Sequence, residues 1–136
     1  MRNAQEFAVV SDPVAAGSPK YIGDVTRYLV SFDDGTMHIP DGEFEAVSEA
    51  AHRVLREAKS AGIYVSGGGL QSQQATIVDP DGSVRLGDFP ERKAVLGGFV
   101  ILELPDRDSA IEWAARFAAS CRCAQEIREM MHDPEA

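Results

Sequence analysis

The spacing of apolar residues changes along this chain, from strand-like density to helical recurrence and back, and each change marks an element. The run TRYLVSF, Thr26 to Phe32, is rich in β-branched and aromatic residues and predicts a strand, ended by the turn Asp33-Asp34-Gly35. Met37 to Pro40 then form a short strand or a loop. Next, Phe44, Val47, Ala51, Val54, Leu55 and Ala58 recur at helical spacing, which puts one apolar stripe along an amphipathic helix. Asp41 is a natural N-cap, Glu43 and Glu45 suit the helix dipole, and Gly62 stands where a C-terminal glycine belongs. Glu45, Glu49, Arg53 and Arg56 fall on the opposite side, so the helix should cover a sheet with one face and meet water with the other.

Beyond that helix, Ile63 to Val65 restart an extended segment, interrupted by Gly67-Gly68-Gly69. This triplet precedes the strand-like ATIVD, whereas a phosphate loop must open a helix so that its amides point at the anion. It predicts a bulge or bend instead. Ala75 to Val78 and Ser83 to Leu86 flank Pro80-Asp81-Gly82, a hairpin signal. Val95 to Leu104, VLGGFVILEL, is the most hydrophobic strand and should lie centrally in the sheet. Pro105 ends it, Asp106 caps a second helix, and Ile111, Ala114, Phe117, Ala118 and Cys121 make that helix's apolar stripe. Helix propensity alone would carry the helix on through CAQEIREMM.

A length of 136 residues holds one domain with a modest core. The net charge of −9 argues against nucleic acid and against an anionic membrane surface, because both need clustered Lys and Arg. No apolar run approaches the roughly 20 residues of a spanning helix, and the N-terminus has no signal-peptide core. Cys121 and Cys123, one residue apart, close too small a ring for a good disulfide and read as free thiols in a reducing cytoplasm. With His38, His52 and His132 scattered, they make no metal constellation, and no cofactor is implied. None of the serines sits in a nucleophile elbow.

The stretch Gly87 to Phe99, GDFPERKAVLGGF, concentrates the remaining chemistry: Asp88, then Glu91, Arg92 and Lys93, then Gly97-Gly98 opening the apolar strand. It resembles the YCII-related, or DGPF, family of small bacterial proteins, in which an Asp-Gly-Pro-Phe turn is followed by Glu, Lys and Leu-Gly-Gly-Phe. Gly87, Phe89, Glu91, Lys93, Leu96, Gly97, Gly98 and Phe99 match, while Leu86 replaces the family's Asp and Asp88 its Pro. Glu112, Trp113 and Ala114 match a further family segment, and the similarity extends over about Arg27 to Arg128. Met1 to Asp24 lies outside it as an N-terminal arm, leaving 25–136 as one YCII-like domain.

The resemblance implies a closing strand, here from about Ala124 to Met130 around Glu126-Ile127-Arg128. The element order then becomes an α+β, ferredoxin-like βαββαβ-type sandwich with an antiparallel sheet and both helices on one face. Its other face would be apolar and bare, and the family's answer is to pair two sheets as a dimeric α+β barrel, here a homodimer.

Candidate site residues follow. Glu91 and Lys93 combine a general base with a charge that polarises a carbonyl or phenolate; the plainer alternative is an exposed charged turn at a strand entry. His52 lies at the edge of the apolar stripe near Glu45 and Arg56, bordering either a cleft or merely solvent. Some family members carry a His-Asp pair on this helix; those places fall on or beside Ala51 and on Ser60, so the pair is not intact. His52, Glu91 and Lys93 are therefore the catalytic candidates, and Asp88, Phe89, Gly97 and Gly98 the ligand-binding ones. Gly97-Gly98 has the structural alternative of a bulge or close backbone approach.

Two functions remain open. One is a non-catalytic or regulatory homodimer that binds a small organic ligand. The other is a small isomerase, lyase or dehydrohalogenase acting on a compact cyclic or phenolic acid, with Glu91 or His52 as base and Lys93 as stabiliser. An interaction module using the N-terminal arm is a third class.

Overall fold

A computed structural model describes residues 25–87 and 96–136. The described elements run β1 (Thr26–Asp33), α1 (Phe44–Ser60), β2 (Tyr64–Gly69), β3 (Thr76–Val78), β4 (Val84–Leu86), β5 (Leu96–Leu104), α2 (Arg107–Cys121) and β6 (Glu126–Glu129). Four strands form one antiparallel sheet in the order β2-β5-β1-β6, the ferredoxin-like arrangement, with β3 and β4 added as a separate hairpin between the second and third core strands. As the hydrophobicity of its sequence predicts, β5 is central, paired to β1 on one side and β2 on the other.

Period-two alternation decides which side chains reach the helices. Tyr28, Val30, Leu102 and Leu104 point one way and are buried, meeting Val54 and Ala58 of α1 and Ala110, Ala114 and Phe117 of α2. The alternate positions carry the cross-strand pairs Arg27–Glu103 and Leu29–Ile101, all four partly exposed. Arg27 Nε donates to Glu103 Oε2 at 3.0 Å. This face therefore bears apolar side chains, and no helix of the described residues packs over it.

Several expectations are corrected. Asp41 does not cap α1: Pro40, Asp41 and Gly42 form a turn, with Gly42 at φ 83° and the Glu43 amide donating to Pro40 O at 3.1 Å. The helix consequently starts at Phe44, and its N-cap Glu43 makes no side-chain cap. Glu43 instead pairs with Arg122 at the end of α2, tying the two helices together. Phe44 and Ile111 were expected in the apolar stripes but are 67% and 49% exposed. In α2 the buried set is Ala110, Ala114, Phe117 and Cys121, and Ile111 lies one residue, about 100° of helix turn, away from it.

Other expectations hold, except the one for the glycine triplet. Asp106 caps α2 by accepting from the Ser109 amide at 2.8 Å. Helix α2 stops at Cys121 because Arg122 turns left-handed (φ 58°) and the Cys123 amide folds back to Ala118 O, which frees the chain to enter β6 as a strand rather than a continued helix. The glycine triplet does not interrupt its strand: Gly67 to Gly69 lie within β2, and the register slips one step earlier, between Tyr64 and Ser66. Across the sheet, the β1–β5 register slips at Phe32/Asp33, where Gly98 and Leu96 are the successive partners and Gly97 is skipped. That is the bulge expected of the Gly97-Gly98 pair.

Candidate functional site

Three strand ends meet at one corner of the helix-covered face. The end of β1 supplies Phe32, the start of β5 supplies Gly97-Gly98, and the end of β2 supplies Gly67 to Gly69. Missing side chains let them approach. A Cβ at Gly98 would stand 2.7 Å from Phe32 Cε1 and 3.2 Å from Gly68 O, and one at Gly97 would stand 2.7 Å from Phe32 Cε2. The Phe32 ring thus occupies the space of two absent side chains. Gly68 and Gly69 have nothing within 4 Å of where a Cβ would be, so room is left above the edge strand.

Helix α1 brings Ala51, His52 and Leu55 over this corner, and the last turns of α2 bring Phe117 and Cys121. Gln125 closes it from the turn before β6. The result is a cleft of about 230 Å³ with mostly apolar walls. Drug-sized sites take roughly 300–1,000 Å³, so this one suits a compact molecule.

Among the described residues few polar side chains face the cleft, and their bonding fixes what they offer. His52 Nδ1 lies 2.7 Å from Ser48 O, and a carbonyl only accepts, so Nδ1 carries the hydrogen. In the neutral ring Nε2 then holds the lone pair. Ser48 Oγ lies 3.3 Å from the same Nδ1 and reinforces that orientation. Gln125 Nε2 donates to Cys123 O at 3.4 Å and approaches Cys123 Sγ at 3.5 Å, which leaves its amide oxygen as the other acceptor at the cleft. Tyr64 donates its hydroxyl hydrogen to Gly67 O at 3.5 Å, and burial pushes its phenol above the ordinary tyrosine value. Burial likewise pushes the Cys121 thiol up, so it lines the cleft as a neutral thiol rather than a nucleophile.

The sequence-predicted residues are only partly placed. His52 lies at the cleft, but its partner is Ser48; Arg56 instead pairs with Glu49, at 2.5 Å. Gly97 and Gly98 pack beneath Phe32, next to the cleft corner. Asp88, Phe89, Glu91 and Lys93 lie outside the described residues. Phe32, Leu55 and Phe117 were read from the sequence only as strand and stripe residues, and Gln125 was not singled out. One readable signal was the Ser48–His52 spacing of four, which places a hydroxyl and a carbonyl beside the ring one helical turn back. Among the described residues no group of three or more His, Cys, Asp or Glu is arranged to hold a metal ion, and no helix is long and apolar enough to cross a membrane.

No protein of curated function matches this chain. A family model, the YCII-related domain, matches residues 27–131. That span runs from within β1 through β6 and includes both helices. The chain belongs to the YCII-related domain family.

Proposed function

We propose that this protein is a non-catalytic or regulatory homodimer that holds a compact organic molecule between its helices and its sheet. The cleft of about 230 Å³ carries the reading: apolar walls from Phe32, Leu55 and Phe117, with His52 and Gln125 as convergent polar groups. Dimerisation is favoured by the helix-free sheet face, where Leu29, Phe99 and Ile101 lie together beside the Arg27–Glu103 pair and a second copy would shelter them. A cytoplasmic setting is favoured by the two free thiols.

The test is a panel of small cyclic and phenolic compounds added to the isotope-labelled protein. Bound compounds should shift the NMR signals of Phe32, Leu55 and Phe117. Gly69→Leu, which adds a side chain where nothing lies within 4 Å, should leave the fold intact and abolish those shifts. Shifts that persist in the variant, or no shifts from any compound, would overturn the reading.

A second reading, a small enzyme, has one observation in its favour. Anchoring Nδ1 on Ser48 O leaves His52 Nε2 as a base aimed by a fixed tautomer. Glu91 would then be an alternative base and Lys93 the electrostatic stabiliser. Turnover of a panel compound that His52→Ala abolishes even at saturating compound would establish this reading over the first.

A further inference from the structure

Resting on the cleft as a binding site, a narrower statement about its ligand follows from hydrogen-bond polarity. Side-chain polar groups at the cleft could in principle offer donors, acceptors or both. His52 has already committed its Nδ1–H to Ser48 O at 2.7 Å, and Gln125 has committed its amide hydrogens to Cys123. Tyr64 has turned its hydroxyl hydrogen onto Gly67 O. Among the described side chains, what remains toward a ligand is a lone pair on His52 Nε2, the amide oxygen of Gln125 and the weak donor of the Cys121 thiol. The two stronger groups accept. We infer that the cleft selects a compact, uncharged, flat molecule that presents an O–H or N–H donor to His52 Nε2 or Gln125 Oε1, the class of simple phenols rather than of aromatic carboxylates.

The chemistry behind this selection is one of matching. A phenol brings a flat apolar body to Phe32, Leu55 and Phe117 and a donor to the waiting lone pairs. A carboxylate of the same size brings only lone pairs, so its oxygens lose water and face acceptors. A ring with no polar group gains the apolar contact alone.

Phenol, toluene and benzoate share a ring and differ only in that group, which makes them the probes. At about pH 8, with benzoate ionised, affinities are read from the shifts of Phe32, Leu55 and Phe117, and the His52 nitrogens are followed in long-range ¹H–¹⁵N spectra. Phenol should bind about 3- to 10-fold tighter than toluene, the size of one net hydrogen bond, with benzoate weakest. It should move the Nε2 resonance far more than Nδ1. His52→Ala, a change at an exposed helical position, should bring phenol down toward toluene and close the gap between the two. Equal affinity for phenol and toluene, or tighter binding of benzoate, would overturn the donor selection while the cleft stands. If none of the three probes moves the wall residues, the cleft itself is not the binding site and both statements fall.

Discussion

One methyl group added at Gly67 should destabilise this protein, whereas the same methyl at Gly68 or Gly69 should not. A Cβ at Gly67 would lie 2.4 Å from Phe99 O, 2.7 Å from Val100 Cα and 2.9 Å from Val100 Cγ1. Two of those three atoms are backbone of β5, which is held by hydrogen bonds to β1 on one side and β2 on the other. It cannot retreat without loosening a ladder. Overpacking of this kind costs about 1–3 kcal/mol. The stiffer unfolded chain returns about 0.4–1 kcal/mol, so Gly67→Ala should lose up to about 2.6 kcal/mol, and about 1.3 kcal/mol at mid-range. With an unfolding entropy of about 2.1 cal/mol/K per residue over 136 residues, each kcal/mol lowers Tm by about 3–4 °C. Gly68→Ala and Gly69→Ala meet nothing within 4 Å and should hold or raise Tm, by at most the entropic gain of about 1 kcal/mol. Thermal denaturation followed by circular dichroism, with urea titrations for m-values, separates the three. A Gly67→Ala protein that melts with the wild type, or a Gly68→Ala protein that melts as early as Gly67→Ala, would refute the steric reasoning.

Two other outcomes follow from single groups. The Ser109 amide, donating at 2.8 Å, holds the Asp106 carboxyl below its usual 3.8, so the ionised cap stabilises the fold above that pH and its contribution is lost as pH falls through the lower folded value. Asp106→Ala should cost about 1 kcal/mol at neutral pH, and the difference from wild type in urea unfolding should shrink in strong acid; a constant difference would contradict the charge assignment. Burial raises both thiols, Cys121 the more sheltered, so iodoacetamide at neutral pH should label Cys121 slowest, Cys123 slowly, and both readily once urea unfolds the chain. Rapid labelling of native Cys121, read by mass spectrometry, would show that the α2 C-terminus opens or that the thiol is not sheltered.

Much of the fold was legible because its signals are local. The YLVSF and VILEL runs, the stripe through Val47, Val54 and Ala58, and the Asp106 cap each name their element from neighbouring residues alone, and the structure agrees. Boundaries were less secure where two local signals compete. At Asp41 the Pro-Asp-Gly turn outweighs the capping carboxylate, and at Arg122 a left-handed residue overrides the helix propensity of the tail. The cleft was scarcely legible, since it depends on contacts between distant segments. Nothing near Phe32 in the sequence announces that its ring will fill the space left by Gly97 and Gly98. Likewise nothing near Gln125 places it at one cleft with Leu55. Gly67 looked like one member of a uniform triplet, yet only it is pressed against another strand.

The placement of β1 has a consequence for synthesis. Both of its neighbours in the sheet, β5 and β6, lie later in the chain, so neither flank of Thr26–Asp33 can be paired until residues from Leu96 onward have been made. At about 5–20 residues per second, the 63 positions from Asp33 to Leu96 take roughly 3–13 s. Throughout that interval the apolar sequence YLVSF waits on the nascent chain with both edges open, the state in which strands pair with the wrong chain. The yield of this protein when it is overproduced should then depend on how well β1 is sheltered during translation as well as on the stability of the finished fold.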